Sequence, residues 1–257
     1  MEHEAYIEMA AAEHNHWWFS GRRQVLNSVI RRLSLKPGAK ILELGSGTGG
    51  NLAMLAQYGQ VTAVEMNDAA REIALNRGDV PDIRAGHLPH NLPLADQKFD
   101  LICLFDVLEH VEEDRETLSV IAGHLAPGAA AIITVPAYRR LWGPHDVALH
   151  HKRRYERREL LEKLHTAGFT VEKLSFMNMA LLPAAILMRL KDKWTSSPAA
   201  SGTETPPPLL NKLFTRIFGA EAHLPSWVNL PFGLSLIAVV RKMPPHRVGG
   251  GGVSDYS

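Results

Sequence analysis

Glu43-Leu44-Gly45-Ser46-Gly47-Thr48-Gly49 is the stretch that decides the fold. The apolar run Lys40–Leu44 reads as a short buried strand. Asn51–Tyr58 reads as a helix that ends near Gly59. A tight turn between the two needs residues without Cβ, and such a turn lets a ligand approach the backbone closely. The first N–H groups of the helix are free to meet a carboxylate or a phosphate. The glycines alone leave the ligand open. Gly45-x-Gly47-x-x-Gly50 also fits the dinucleotide fingerprint, and Glu65, about 20 residues on, would accept a ribose diol in either case. Glu43 weighs against pyrophosphate, which its charge would repel, and suits a ligand amino group.

Outward from the loop, strand and helix patterns alternate. Gln60–Glu65 reads as a second strand and Asp68–Asn76 as a helix, and Ile83 marks a third strand. Phe99–Phe105 is a strongly apolar fourth strand. Glu112–Leu125 is a helix closed by Pro127-Gly128, and Ala129–Val135 is a fifth strand ended by Pro136. A polar loop over 137–155 follows, then a helix over Glu156–Ala167 and strands at Thr170–Phe176 and Leu234–Val240. This alternation predicts an α/β fold with a parallel sheet and helices on both faces. Right-handed crossovers then gather the loops after the strands along one ligand-binding edge.

Three further segments accompany the glycine loop: Glu65 after strand two, Phe99-Asp100-Leu101-Ile102 running into Asp106-Val107-Leu108-Glu109-His110-Val111, and Leu125-Ala126-Pro127-Gly128-Ala129. As a set they resemble the class I S-adenosylmethionine-dependent methyltransferase family. The likeness lies in the small-molecule branch that includes the ubiquinone-biosynthesis O-methyltransferases. It covers about residues 13–182 and the last strand. It implies a Rossmann-like, seven-stranded, mostly parallel sheet with an antiparallel last strand, an N-terminal helical lid and a helical insertion before that strand.

The resemblance also implies S-adenosyl-L-methionine as cofactor. Gly45, Ser46, Gly47 and Thr48 would line its methionine and ribose portion, with Gly49 and Asn51 completing the loop. Glu43 would orient the amino group, and Glu65 would accept both ribose hydroxyls. Met66 would pack on the adenine. Where the family often has an acid near the adenine amine, this chain has His87 and Leu88. Phe105 and Asp106 would lie close to the reactive methyl. Trp18 and Arg22 belong to a helix that commonly closes over the cofactor in this branch, and Arg22 or Arg23 suits its carboxylate. The alternative is an amphipathic helix packed on the sheet with exposed arginines. Of the adjacent Trp17 and Trp18, one is expected to cover a cleft, since both cannot face one core.

The loop after strand five, Trp142-Gly143-Pro144-His145-Asp146-Val147-Ala148-Leu149-His150-His151-Lys152-Arg153-Arg154-Tyr155, gathers histidines on the ligand edge. Methyl transfer to a hydroxyl needs an aligned nucleophile and a group that takes its proton. His145, Asp146, His150 and His151 are the candidates, and a His–Asp pair would set the tautomer. Two readings compete: a divalent ion on His145, Asp146 and His150, and a structural or substrate-positioning role. No metal is assigned. The basic run Lys152, Arg153, Arg154, Arg157, Arg158 calls for partners, either an acidic substrate group or Glu156 and Glu159.

The expected organisation is a helical lid over 1–36, a cofactor-binding core over 37–176 and an insertion over 177–230 with a mobile linker at 195–208. The last core strand follows at 231–243, and a disordered tail at 244–257. The run Met179–Met188 is too short to span a bilayer, and Arg189, Lys191 and Lys193 after it are compatible with peripheral membrane contact. A net charge of +1 gives no global field for nucleic acid, and none is expected as a partner. The single cysteine, Cys103, excludes a disulfide framework and points to a cytoplasmic setting. No secretory leader is read in residues 1–20. The leading function is O-methylation of a small, apolar or lipid-linked acceptor. The alternatives are a nicotinamide-dependent oxidoreductase and a non-catalytic cofactor-binding protein on the same scaffold. The oligomeric state is left open.

Overall fold

Two helices open the chain where helical periodicity predicts one segment. α1 (His3–Asn15) and α2 (Trp17–Arg32) part at His16. The His16 backbone is extended, and its Nδ1 accepts the Trp18 N–H, so it caps α2. The computed structural model describes residues 3–187, 205–225 and 228–242. The expected tail, the far end of the apolar helix (188–194) and linker residues 195–204 lie outside the described residues.

The order that follows is β1 (Ala39–Leu44), α3 (Leu52–Ala56), β2 (Gly59–Glu65), α4 (Asp68–Arg77), β3 (Asp82–Ala85), β4 (Phe99–Phe105), α5 (Asp114–His124) and β5 (Leu125–Pro136). Next come α6 (Pro144–Ala148), α7 (Arg157–Thr166), β6 (Phe169–Met177), α8 over 182–187, α9 (Pro208–Gly219) and β7 (Ser235–Lys242). The seven strands form one sheet in the order β3-β2-β1-β4-β5-β7-β6. β1 to β5 pair in parallel, and β7 runs antiparallel between β5 and β6. The strand order reverses between β1 and β4, so the loops after these two strands face each other across a crevice.

The strands read as continuous apolar runs because both faces of the sheet are covered. Successive residues nevertheless enter different cores, as the two-residue period requires. Leu42, Ile102, Leu104 and Ile133 pack with Leu118 and Ile121 of α5 and Leu160 and Leu164 of α7. Ile41, Leu101, Cys103 and Ile132 pack on the other side with Leu26 and Ile30 of α2, Leu55 of α3 and Phe218 of α9.

α9 is held against α2. Phe218 lies so close to Gly21 that a Cβ there would sit 2.6 Å from its ring. Trp17 and Trp18 both pack around α9, at 5.6 Å from Phe214 and 5.4 Å from Phe218 between ring centroids. This corrects the expectation that one indole covers a cleft: the insertion supplies a second wall, so adjacent indoles share one core. Asn211 of α9 accepts the Trp17 N–H and donates to the Asn15 carbonyl, which fixes the insertion to the break between the first two helices. No described helix is long and apolar enough to cross a membrane.

Candidate functional site

The crevice at the strand reversal is built first by glycines. Gly45 and Gly49 have φ of 70° and 88°, the left-handed region that side chains avoid. A Cβ on Gly45 would lie 2.7 Å from Val107, in the loop after β4, and one on Gly49 would lie 3.0 Å from Ala74 of α4. Gly47 has an open face, with Glu13 of α1 4.0 Å from its Cβ position.

Beneath this loop several buried polar atoms lack partners. Glu43, next to last in β1, is fully enclosed, and its Oε1 accepts from Asn51 Nδ2 at 2.8 Å. Glu43 Oε2, Ser46 Oγ and Asn51 Oδ1 have no hydrogen-bond partner among the described residues. Native structures rarely leave such atoms unpaired, so this cradle suits a polar ligand. Burial pushes the Glu43 pKa up to about 8, against the Asn51 hydrogen bond and the Arg22 charge.

That shift has a testable sign. Between the ordinary carboxylate range and about 8 the folded chain holds a proton at Glu43 that the unfolded chain has lost. Stability contributed by this group therefore falls as pH rises through that window, by up to about 1.4 kcal/mol per pH unit, and levels off above it. Urea denaturation of the parent and Glu43→Gln across the window should show the variant losing this part of the slope. Parallel pH profiles would overturn the assignment.

Glu65 ends β2 opposite. Its Oε2 accepts the Gly47 amide at 2.8 Å and its Oε1 the Asn67 amide at 2.9 Å. The two amides aim the carboxylate, and each oxygen keeps acceptor capacity. Met66 beside it is exposed. His87 and Leu88 lie in a small turn closed by paired backbone hydrogen bonds between His87 and Asn91. Leu88 leans on the core, and His87 is exposed.

Phe105 ends β4 buried, and Asp106 follows at φ 57°. Thr134 of β5 accepts the Asp106 N–H and donates from its hydroxyl to Asp106 Oδ1 at 3.1 Å. Arg22 of α2 is ion-paired with Asp106 Oδ2. The guanidinium reaches the crevice, and its partner there is this aspartate. Arg22 Nε is buried with no hydrogen-bond partner among the described residues. Arg23 Nη1 reaches the Gly50 carbonyl at 3.4 Å.

α1 adds a residue that sequence reasoning missed. Glu13 accepts from the Thr48 hydroxyl at 2.5 Å and from Arg77 of α4 at 2.8 Å, directly over the glycine loop. It stands among several acids in an N-terminal segment, and nothing in the pattern separates it from the solvated ones.

The histidine loop is organised by Asp146, which is fully buried. It accepts from the Gly143 amide at 2.9 Å, Arg154 Nε at 2.7 Å and His151 Nδ1 at 2.9 Å. Burial opposes its ionisation, yet these hydrogen bonds hold its pKa down at about 2. With Nδ1–H committed to Asp146, His151 turns Nε2 toward Glu109, 4.0 Å from Oε1. The Glu109 side chain is fully enclosed, and neither oxygen has a hydrogen-bond partner among the described residues. Burial and the nearby Asp106 push its pKa well above the ordinary range. The His110 ring stands 4.8 Å from that of His151, nearly perpendicular, and close packing together with His151 pushes its pKa down to about 4.

Glu109, His110 and His151 thus offer ligand atoms all within 4.8 Å of one another. Among the described residues this is the set that converges, rather than the His145, Asp146 and His150 set of the metal reading. His145 is half-buried on α6. His150 is exposed at φ 56°, where the chain reverses and delivers His151 inward. Glu109 and His110 were legible only as letters of a motif. The basic run finds acids on the chain itself: Lys152 and Arg153 meet Glu112, Arg153 meets Asp114, Arg154 meets Asp146 and Arg158 meets Glu162.

Comparison with known proteins agrees with this geometry. Residues 18–174 match the family described as a methyltransferase domain. A Mycolicibacterium smegmatis protein named a probable S-adenosylmethionine-dependent methyltransferase is 32% identical over 164 residues, 63% of this chain and 62% of that protein. The mitochondrial ubiquinone biosynthesis O-methyltransferase of Schizosaccharomyces pombe is 28% identical over 46% of each chain. The chain therefore spans about half to three-fifths of the length of these relatives. Among solved structures, an S-adenosylmethionine-dependent methyltransferase from Clostridium acetobutylicum superposes with a TM-score of 0.55. It is 12% identical over 86% of this chain and 92% of that one, a likeness of fold.

Proposed function

The chain belongs to the methyltransferase-domain family, and from that premise we propose that it methylates an oxygen of a small, apolar or lipid-linked acceptor. S-adenosyl-L-methionine, the cofactor the family implies, supplies an electrophilic methyl group on a sulfonium when bound. The observation that carries the reading is the cradle itself: unpaired Glu43 Oε2, Ser46 Oγ and Asn51 Oδ1 under the glycine loop, facing an amide-aimed Glu65 carboxylate. That donor and acceptor set fits an amino-acid head and a ribose diol. Glu43 Oε2 and Asn51 Oδ1 are acceptor atoms suited to an ammonium group, whereas a pyrophosphate needs donors, which disfavours a nicotinamide cofactor.

On the acceptor side, Asp106 and Arg22 close the end of β4, and Asp146 holds His151 in the tautomer that leaves Nε2 free to accept. The Glu109, His110 and His151 cluster takes up the acceptor proton as the oxygen is aligned. An open groove of about 470 Å³ beside the loop after β5, lined by Tyr138, Leu141, Leu182 and Ile186 with Arg140 and Glu156, supports an acceptor with an apolar body and a polar group. Exposed Leu209, Leu210 and Leu213 on α9 support delivery of that acceptor from a membrane surface. Buried, unpaired Cys103 is compatible with a cytoplasmic setting.

Calorimetric titration with S-adenosylmethionine, S-adenosylhomocysteine and NAD tests the reading. Both adenosyl ligands should bind and NAD should not. Binding of NAD with neither adenosyl ligand would sink the proposal.

A further inference from the structure

We propose that the groove beside the loop after β5 is a site for an amphipathic anion, and that Arg140 is the residue that selects it. The acceptor then carries a carboxylate or phosphate as well as an apolar body. The inference deepens the methyl-transfer reading and rests on it for the identity of the ligand as acceptor, though the groove and its charge stand on geometry alone.

The groove has fixed walls. Tyr138 forms one, just past the end of β5 and on the same sheet edge as the glycine loop. Its backbone, at φ 61° and ψ 107°, lies where an aromatic residue is an outlier, and three contacts hold it there. Its N–H donates to the Tyr155 carbonyl at 3.0 Å, its ring stacks on Phe176 at 5.2 Å between centroids, and its hydroxyl is hydrogen-bonded to the Gly233 backbone. Strain of this kind persists where the surroundings over-determine it, and it collects at ligand-binding segments. Leu182 and Ile186 of α8 form another wall. The amides that lead into that helix, Asn178 and Met179, each donate to the Glu221 carboxylate at 2.7 Å. The walls are therefore set before a ligand arrives, and a preformed apolar groove of about 470 Å³ suits a small molecule.

The charge comes from the turn Arg139–Leu141, where two arginines are adjacent and two acids stand at the start of α7. Arg139 engages both acids. Its amide donates to Glu156 Oε1 at 3.1 Å, and its guanidinium pairs with Glu159 at 2.8 Å. Glu159 is bridged to Lys163 as well, at 3.1 Å. Arg140 lines the groove, is exposed, and meets no acid among the described residues. Its planar fork matches a carboxylate or a phosphate bidentately. A ligand whose apolar body lies on Tyr138, Leu141 and Leu182 can thus place an anionic group at Arg140. The Glu156 carboxylate, also in the lining, is the rival: it would call for a cationic ligand, and the test separates the two.

The probes are decanoate, decyl phosphate, decanol and decyltrimethylammonium, each below its micelle-forming concentration. They are titrated calorimetrically into the full chain with and without S-adenosylhomocysteine. Decanoate or decyl phosphate should bind about fivefold tighter than decanol, the share expected of one ion pair at an exposed side chain. The tighter of the two names the head group as carboxylate or phosphate. Arg140→Gln should remove that preference and leave decanol affinity and circular dichroism unchanged. Arg158→Gln makes the same charge change outside the groove and should keep the preference. Equal binding of decanoate, decyl phosphate and decanol, tighter binding of decyltrimethylammonium, a preference that survives Arg140→Gln, or its equal loss in Arg158→Gln would overturn the proposal. A preference that depends on Arg140 in a chain that takes no adenosyl ligand would sustain the site and refute the methyl-transfer reading.

Discussion

Asp146→Ala is expected to destabilise the protein by about 3–5 kcal/mol, the usual consequence of removing one member of a buried ion pair. The loss comes from what remains. Arg154 is buried, and without Asp146 its Nε loses its carboxylate acceptor while Nη1 keeps the Ala137 carbonyl. The Gly143 amide and His151 Nδ1 lose their acceptor at the same time. Asp146→Asn keeps the volume and separates two effects. Its amide can accept from Arg154 or His151, but it carries no charge to balance the guanidinium and no longer dictates the histidine tautomer. Stability should fall less than in the alanine variant, while turnover with an identified acceptor should fall much further than S-adenosylhomocysteine affinity. Urea denaturation gives the first quantity. A loss below about 1 kcal/mol in Asp146→Ala would show that the carboxylate is not the hub of this loop.

Glu65→Ala carries the second large effect. Two charge-assisted hydrogen bonds to a ribose diol, at about 1.5–3 kcal/mol each, correspond to a loss of cofactor affinity on the order of a hundredfold or more. The carboxylate is pre-aimed by the Gly47 and Asn67 amides, so little of its binding free energy goes into ordering it. Glu65→Gln should also bind poorly, because a side-chain NH₂ placed against either amide meets a donor with a donor. Calorimetry with S-adenosylhomocysteine on folded variants measures both. Affinity within about threefold of the parent would remove Glu65 from the ribose site.

Much of the sheet was legible because its signals are local. Strands covered on both faces must be apolar, as Leu101–Phe105 is, and a loop with three left-handed positions favours glycine there. Boundaries moved where local and distant forces compete. The helical period runs through His16 without a break, and only its capping geometry and the Asn211 contacts reveal two helices. The segment 137–155 reads as a polar loop, yet it holds α6 because Asp146 bonds back to the Gly143 amide.

The site was legible to the same extent. Residues on the glycine loop and at strand ends follow from topology, so Glu43, Glu65 and Asp106 fall where the pattern puts them. The histidine cluster does not follow from spacing. Glu109 and His110 meet His151 only because a left-handed His150 reverses the chain and the Lys152 amide docks on the Glu109 carbonyl. Four histidine-loop candidates could be named from sequence, and the choice among them needed the fold.

The place of β7 has a consequence for synthesis. This strand is made after the helical insertion, yet it lies between β5 and β6 and pairs with both. While the chain is emerging from the ribosome, β5 and β6 are complete but have no common neighbour, and each presents an open row of backbone donors and acceptors. The sheet closes only when Ser235–Lys242 slides into the gap, a pairing across a long stretch of chain and slow for that reason. The nascent protein thus spends its most adhesive interval before Ser235–Lys242 emerges, when a chaperone would have most to shield.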